Sequence, residues 1–86
     1  MNISVELTFT PLQDNYEPAI TAFIKQLRAS GFTVLENPLS TQVYGEYDAV
    51  MEMLTKEIKN SFSSIEIGLF QIKIVKTDRS DYVADF

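Results

Sequence analysis

The sequence predicts a small α+β domain built from two successive β-α-β units. Four segments in which apolar and polar residues alternate indicate strands. Two segments with apolar residues at helical spacing lie between the first and second strands and between the third and fourth. The length of 86 residues gives room for one domain, and a hydrophobic content of 45% is ordinary for a globular protein.

The first strand and the first helix have the clearest patterns. Residues 3–10 alternate strictly, and Pro11 ends the strand because proline cannot donate to a ladder. The apolar face of this strand carries Ile3, Val5, Leu7 and Phe9. Asp14 and Glu17 have the spacing of a capping box, which predicts the start of a helix. Gly31 is placed to end that helix, since glycine adopts a left-handed conformation at little cost.

The middle of the chain predicts a hairpin followed by a second helix. Residues 32–36 and 41–46 read as short strands, and the Asn-Pro-Leu-Ser sequence between them is typical of a turn. We expect Asp48 to cap the second helix. Apolar residues then recur every four positions, at Val50, Leu54, Ile58 and Phe62.

The end of the sequence predicts one more strand and a tail. Residues 65–75 form the most apolar of the four alternating segments. We expect a single domain over residues 1–78 and an exposed polar C-terminal tail over residues 79–86. The resulting order is β-α-β-β-α-β. With right-handed crossovers it gives a ferredoxin-like four-stranded antiparallel sheet with both helices on one face, which leaves the other face open.

Composition excludes several classes of function. Cysteine and histidine are absent, which rules out disulfides, thiolate nucleophiles, Cys/His zinc sites and histidine acid–base chemistry. The net charge of −5 disfavours a nucleic-acid partner and favours a cationic ligand. No apolar run is long enough for a membrane span, and the first residues lack the basic region of a signal peptide. We therefore expect a cytoplasmic protein with no metal and no cofactor.

The open face of the predicted sheet carries the candidate functional residues. Strand alternation assigns to it Glu6, Thr8, Thr10, Gln42, Tyr44, Glu46, Gln71 and Lys73. One interpretation is a solvated face with ordinary cross-strand pairs, such as Glu6 with Lys73. A second is an enzyme in which Glu6 and Glu46 do acid–base work. The sequence has no phosphate loop, nucleophile elbow or ligand cluster to support catalysis, so we expect no enzymatic activity.

Three segments resemble a known family. They are the Pro-Leu-Gln-Asp-Asn-Tyr-Glu-Pro run at 11–18, the Ala-Phe-Ile run at 22–24, and the Ser-Thr-Gln-Val-Tyr-Gly-Glu run at 40–46 followed by Asp48. Together they resemble the thiamine-binding protein family, the YKOF-type group that binds thiamine or its hydroxymethylpyrimidine moiety. The resemblance implies a ferredoxin-like domain that forms homodimers or homotetramers, takes part in thiamine uptake or salvage, and has no catalytic activity.

The resemblance also suggests a ligand site near the sheet. On this hypothesis Glu6 and Glu46 hold polar groups of the ligand, Tyr44 stacks on a ring, and Thr41 donates a hydroxyl group. The full set of proposed ligand-binding residues is Glu6, Thr8, Thr41, Gln42, Tyr44 and Glu46. Strict alternation places Thr41 on the face opposite Tyr44 unless a bulge intervenes. The alternative is a structural or regulatory oligomerisation module, in which 40–46 is an interface strand and the two glutamates pair across subunits.

Overall fold

The computed structural model describes residues 1–86 and has the predicted order of elements. They are β1 (Asn2–Pro11), α1 (Glu17–Arg28), β2 (Thr33–Glu36), β3 (Thr41–Glu46), α2 (Tyr47–Ser63) and β4 (Gly68–Lys76). The strands form one antiparallel sheet in the order β2-β3-β1-β4. The α+β ferredoxin-like fold is therefore confirmed. Neither helix is long and apolar enough to cross a membrane.

The core lies between the helices and one face of the sheet. Its strand contribution comes mainly from the predicted apolar face of β1, which lies inside the sheet between β3 and β4, with Val43 added by β3. The helices contribute one apolar stripe each, as expected from their spacing. The buried apolar set is Ile3, Val5, Leu7, Phe9, Phe23, Leu27, Val43, Val50 and Leu54.

Four phenylalanines from four elements join the sheet to both helices. Phe9 of β1 stacks on Phe70 of β4, with ring centroids 4.4 Å apart. Phe23 of α1 meets the edges of both rings, at 5.7 Å from Phe9 and 5.0 Å from Phe70. Phe62 of α2 lies 5.3 Å from Phe70 but remains 43% exposed. The last turn of α2 therefore only partly covers β4.

The starts of both helices differ from the sequence prediction. At α1 the cap position is Tyr16, which forms no side-chain capping bond, so the capping role of Asp14 was wrong. At α2 the cap is Glu46, whose carboxylate accepts the N–H of Ala49 at 3.1 Å. Asp48 was the wrong residue for this role because β3 runs into α2 without a loop, which puts Asp48 inside the first helical turn.

The remaining boundaries are close to those predicted. Gly31 has a φ of +86°, the left-handed value expected just after a helix. The β2–β3 hairpin is formed as predicted, with Val34 opposite Val43. The last strand begins at Gly68 rather than at residue 65, because Ile65 still belongs to the turn that closes α2, where its N–H reaches the carbonyl of Phe62.

Candidate functional site

A cleft opens where β3 stops short of the end of β1. β3 pairs with β1 only as far as Thr41, which lies opposite Leu7, while β1 continues to Pro11 alongside β4. The last residues of β1 therefore have no strand neighbour on the β3 side. A cavity of about 350 Å³ occupies this gap, between β1, α1 and the hairpin segment 36–40.

The lining of the cleft is half apolar and half polar. The apolar part comes from the core side of β1 and from α1, and consists of Leu7, Phe9, Ile20, Phe23 and Ile24. The polar part comes mainly from the hairpin and includes Thr8, Glu36, Asn37, Ser40 and Thr41. Small-molecule sites usually combine apolar walls with a few convergent polar groups, and this cleft has both, with a larger polar share than is usual.

Thr41 is the buried polar residue of this cleft. Its side chain is on the helix side of the sheet, as the alternation predicted, and the residue is only 7% exposed. None of the side-chain hydrogen bonds at this end of the sheet involves its hydroxyl group. No fully inaccessible side-chain oxygen lacks a partner, so the Thr41 hydroxyl oxygen retains some accessible surface, and Thr41 is among the residues that line the cleft. It is therefore available to a bound molecule.

An ion pair fixes the outer rim of the cleft. The Arg28 guanidinium donates two hydrogen bonds to the Glu36 carboxylate, at 2.6 and 2.7 Å, and so ties α1 to the edge strand β2. These hydrogen bonds lower the pKa of Glu36 from its ordinary value and raise that of Arg28. The rim thus carries a carboxylate that stays ionised at neutral pH.

A polar network leads from the rim of the cleft to the open face of the sheet. Ser40 donates to the Glu6 carboxylate at 3.1 Å and accepts from the Gln42 amide at 3.4 Å. Asn37 donates to the same Gln42 side chain at 2.9 Å. Lys73 lies 3.8 Å from Glu6, which confirms the cross-strand pair predicted from the sequence.

The open face itself is a shallow concavity of about 620 Å³. Its lining includes Glu6, Gln42, Tyr44, Lys73, Arg79 and Tyr82. The last two residues come from the segment predicted to be an exposed polar tail. The Arg79 guanidinium lies 5.2 Å from the centroid of the Tyr82 ring, within the range of a cation–π contact.

A buried serine holds this C-terminal segment against the sheet. Ser4, 8% exposed, donates its hydroxyl to the carbonyl of Thr77 at 2.7 Å and accepts the N–H of Arg79 at 2.9 Å. Asp78, between them, accepts the N–H of Ser80 at 2.8 Å. The chain after β4 therefore folds back across the open face for at least a few residues.

The six predicted site residues fall in three places. Glu6, Gln42 and Tyr44 share the open-face concavity. Thr8 and Thr41 line the cleft. Glu46 belongs to neither, since its carboxylate caps α2 and lies 3.9 Å from the terminal amine.

The capping contacts also perturb the Glu46 carboxylate. The backbone N–H groups of Ala49 and Asp48 lower the pKa of Glu46 below its ordinary value. A carboxylate held in this way has fewer free lone pairs for a ligand.

Sequence reasoning missed several residues that border these two cavities. Asn37 and Ser40 were treated only as turn residues, although polar residues in a turn beside a strand end are reasonable candidates. Ser4 was assigned to a polar face, and nothing in the alternation distinguishes it from its neighbours. Arg79 and Tyr82 follow the last strand, where no periodic pattern indicates their position.

Comparison with solved structures identifies the same architecture elsewhere. A Thermotoga maritima protein provisionally assigned to thiamine biosynthesis or salvage has a TM-score of 0.81 at 16% identity, over 90% of this chain and 85% of that one. A Streptococcus pneumoniae protein, SP2199, has a TM-score of 0.84 at 22% identity, over 91% and 89%. A Bacillus cereus protein with the domain of unknown function DUF77 has a TM-score of 0.75 at 17% identity, over 99% and 85%. What is shared is the fold.

Sequence comparisons add no closer relative. No family model matches the chain, and no curated protein is significantly similar to it.

Proposed function

We propose that this protein is a non-catalytic binding protein for thiamine or its hydroxymethylpyrimidine moiety, acting as a homo-oligomer in thiamine uptake or salvage. The observation that carries the proposal is Thr41, a nearly buried residue whose unpartnered hydroxyl faces a cleft of ligand size. The resemblance of residues 40–46 to the thiamine-binding family supports the ligand class, as does the fold shared with the Thermotoga protein.

The cleft suits the pyrimidine part of such a ligand. A pyrimidine is flat and aromatic, and the cleft offers it the aromatic side chains of Phe9 and Phe23 beside aliphatic groups. Its ring nitrogens and amino group need partners, which the Thr41 hydroxyl and the Asn37 amide can supply as both donors and acceptors. The volume of about 350 Å³ lies at the lower end of the range for small-molecule sites.

The charges near the cleft suit a cationic second ring. Glu36 lines the cleft, and Glu6 accepts a hydrogen bond from Ser40 at its rim. Because Glu36 is paired with Arg28 and Glu6 lies 3.8 Å from Lys73, the attraction for a thiazolium group comes mainly from the net charge of −5. In this arrangement Glu6 keeps the role suggested by the sequence, while Thr41 replaces Glu46 as the main polar anchor.

Isothermal titration calorimetry with thiamine and with free hydroxymethylpyrimidine tests the proposal. We expect saturable binding by the wild-type chain and about tenfold weaker binding by Thr41→Val, because one hydrogen bond to the ligand is lost. Thr33→Val, at an exposed position of β2, is the matched control and should bind as the wild type does. Absence of binding with either ligand would contradict the proposal and favour the oligomerisation module. Equal affinity of the Thr41→Val variant would refute the role of Thr41 and leave the binding function standing.

A further inference from the structure

The strand β4 has the composition of an interior strand but lies at the edge of the sheet. Its apolar residues lie on both faces, since Ile72 and Ile74 pair with core residues of β1 while Leu69 and Val75 pair with residues of the open face. All four remain 39–46% exposed. Strands that are apolar on both faces are normally covered on both faces and paired on both edges.

The helix layer leaves part of β4 uncovered. A groove of about 640 Å³ lies between α2 and β4, and its apolar lining is Met51, Leu54, Ile58, Phe62, Ile72 and Ile74. Phe62, Ile72 and Ile74 are each more than 40% exposed at this groove. The groove and the free edge of β4 adjoin each other, so one partner can cover both.

The opposite edge of the sheet is protected in the usual ways. β2 has only four residues, and its last one, Glu36, is engaged by Arg28. Short edge strands and charged residues are the common devices that prevent edge-to-edge pairing. β4 has nine residues and contains no proline. Of its two lysines, Lys73 lies on the open face, and Lys76, opposite Ile3, takes the last position of the helix-facing side. The two edges thus differ in their suitability for association.

We propose that β4 pairs antiparallel with β4 of a second copy of this chain, which would create a continuous eight-stranded sheet. A two-fold axis perpendicular to the sheet generates this pairing and keeps all four helices on the same side. With the axis at Ile72, Lys73 faces Gln71 and Lys76 faces Gly68 of the other copy, so no two lysines are directly opposed. The two grooves then meet across the axis and cover Phe62 and Ile74 of both copies.

This inference specifies the contact surface of the homo-oligomer included in the proposed function, and it does not depend on the ligand. The cleft lies on the β3 side of β1, whereas the interface lies beyond β4 on the other side. A dimer of this form leaves the cleft open. Ligand binding and association can therefore fail separately.

Sedimentation velocity at micromolar concentrations tests the interface. We expect the wild type at twice the chain mass of 9.8 kDa, and the Ile74→Lys variant at the mass of one chain with an unchanged circular dichroism spectrum. The lysine would place two charges in the apolar seam. Leu35→Lys, at a similarly exposed residue of the β2 edge, is the matched control and should remain dimeric. Thiamine titration of the Ile74→Lys variant should match that of the wild type.

Hydrogen exchange on the wild-type chain gives a test that needs no variant. In a monomer, every second backbone N–H group of β4 points to the free edge and is open to water. In the dimer these groups are hydrogen-bonded to the other copy, so we expect slow exchange along the whole strand. A monomeric wild type, alternating fast exchange along β4, or a dimeric Ile74→Lys variant would each overturn the proposal. Loss of thiamine binding without loss of the dimer would overturn only the proposed function.

Discussion

Thr41 brings a hydroxyl group to a nearly buried position without giving it a partner in the chain. Because its oxygen is not fully inaccessible, water can pair with this hydroxyl, and a bound molecule would have to replace that hydrogen bond. The neighbouring polar side chains Glu6 and Gln42 both form hydrogen bonds with Ser40. The threonine at position 41, opposite Leu7, thus distinguishes the cleft from the rest of the surface.

Glu46 leads to a prediction about stability and pH. Its pKa is lowered by the backbone N–H groups at the start of α2, so its charged form stabilises the folded state. The contribution is complete above the ordinary glutamate pKa and is lost as the pH falls through the lower folded-state value. We therefore expect Glu46→Ala to lower the urea midpoint at neutral pH, and the difference from wild type to shrink toward acid pH.

Glu52→Gln is the control for this experiment, since Glu52 is an exposed carboxylate of the same helix without a capping bond. Its urea midpoint should differ little from wild type at any pH. If Glu46→Ala and wild type have equal midpoints at neutral pH, the capping role is refuted and the carboxylate returns to the set of free ligand groups.

At the scale of elements, the strands and helices were predictable because each has a regular hydrophobic period. Their junctions were not. The sequence pattern places Asp48 where a cap is usual, but the absence of a loop between β3 and α2 moves the cap back to Glu46. Whether a loop joins a strand to the next helix depends on how the two elements pack in the fold. The hydrophobic periodicity of the strand or of the helix does not contain that information.

The attachment of the C-terminal segment leads to a second prediction. Replacing Ser4 by Ala removes two hydrogen bonds, to Thr77 and from Arg79, and leaves a nearly buried position apolar. We expect the variant to fold, to lose about 1–2 kcal/mol of stability, and to show faster exchange of the Arg79 amide. The measurement is hydrogen exchange read by NMR.

Ser63→Ala is the comparison for this variant, because the Ser63 hydroxyl also donates to a backbone carbonyl but on the exposed side of α2. It should leave the Arg79 amide unchanged. Unaltered exchange at Arg79 in Ser4→Ala would mean that the segment is held against the sheet by other contacts.

For the molecule as a whole, the four phenylalanines connect β1, β4 and both helices. Phe70 touches the other three, so Phe70→Ala would leave a cavity at the junction of the two layers. We expect a loss of about 3–5 kcal/mol, a large part of the roughly 5–15 kcal/mol that typical domains have. Guanidinium denaturation measures it.

The control for Phe70→Ala is Phe86→Ala, which removes the same atoms from a fully exposed side chain. Its denaturation midpoint should equal that of the wild type. A cost below 1 kcal/mol for Phe70→Ala would show that the helices are held to the sheet mainly by the aliphatic core.

The site was less predictable than the fold because it depends on register. Alternation correctly separated Thr41 from Tyr44, but it carries no information about where β3 stops relative to β1. That offset of the strands creates the cleft, and the turn at residues 36–40 closes it. Residues far apart in sequence, such as Ser4 and Arg79, meet only after the sheet has formed.

The sheet order has a consequence for how the chain is made. β1 is made before its long partner β4, and because Ile3 pairs with Lys76, two helices and two strands are made between them. Until β4 has been made, the side of β1 that pairs with β4 has no neighbour. We expect the pairing of β1 with β4 to form late in folding, since its contacts have the greatest sequence separation in the sheet.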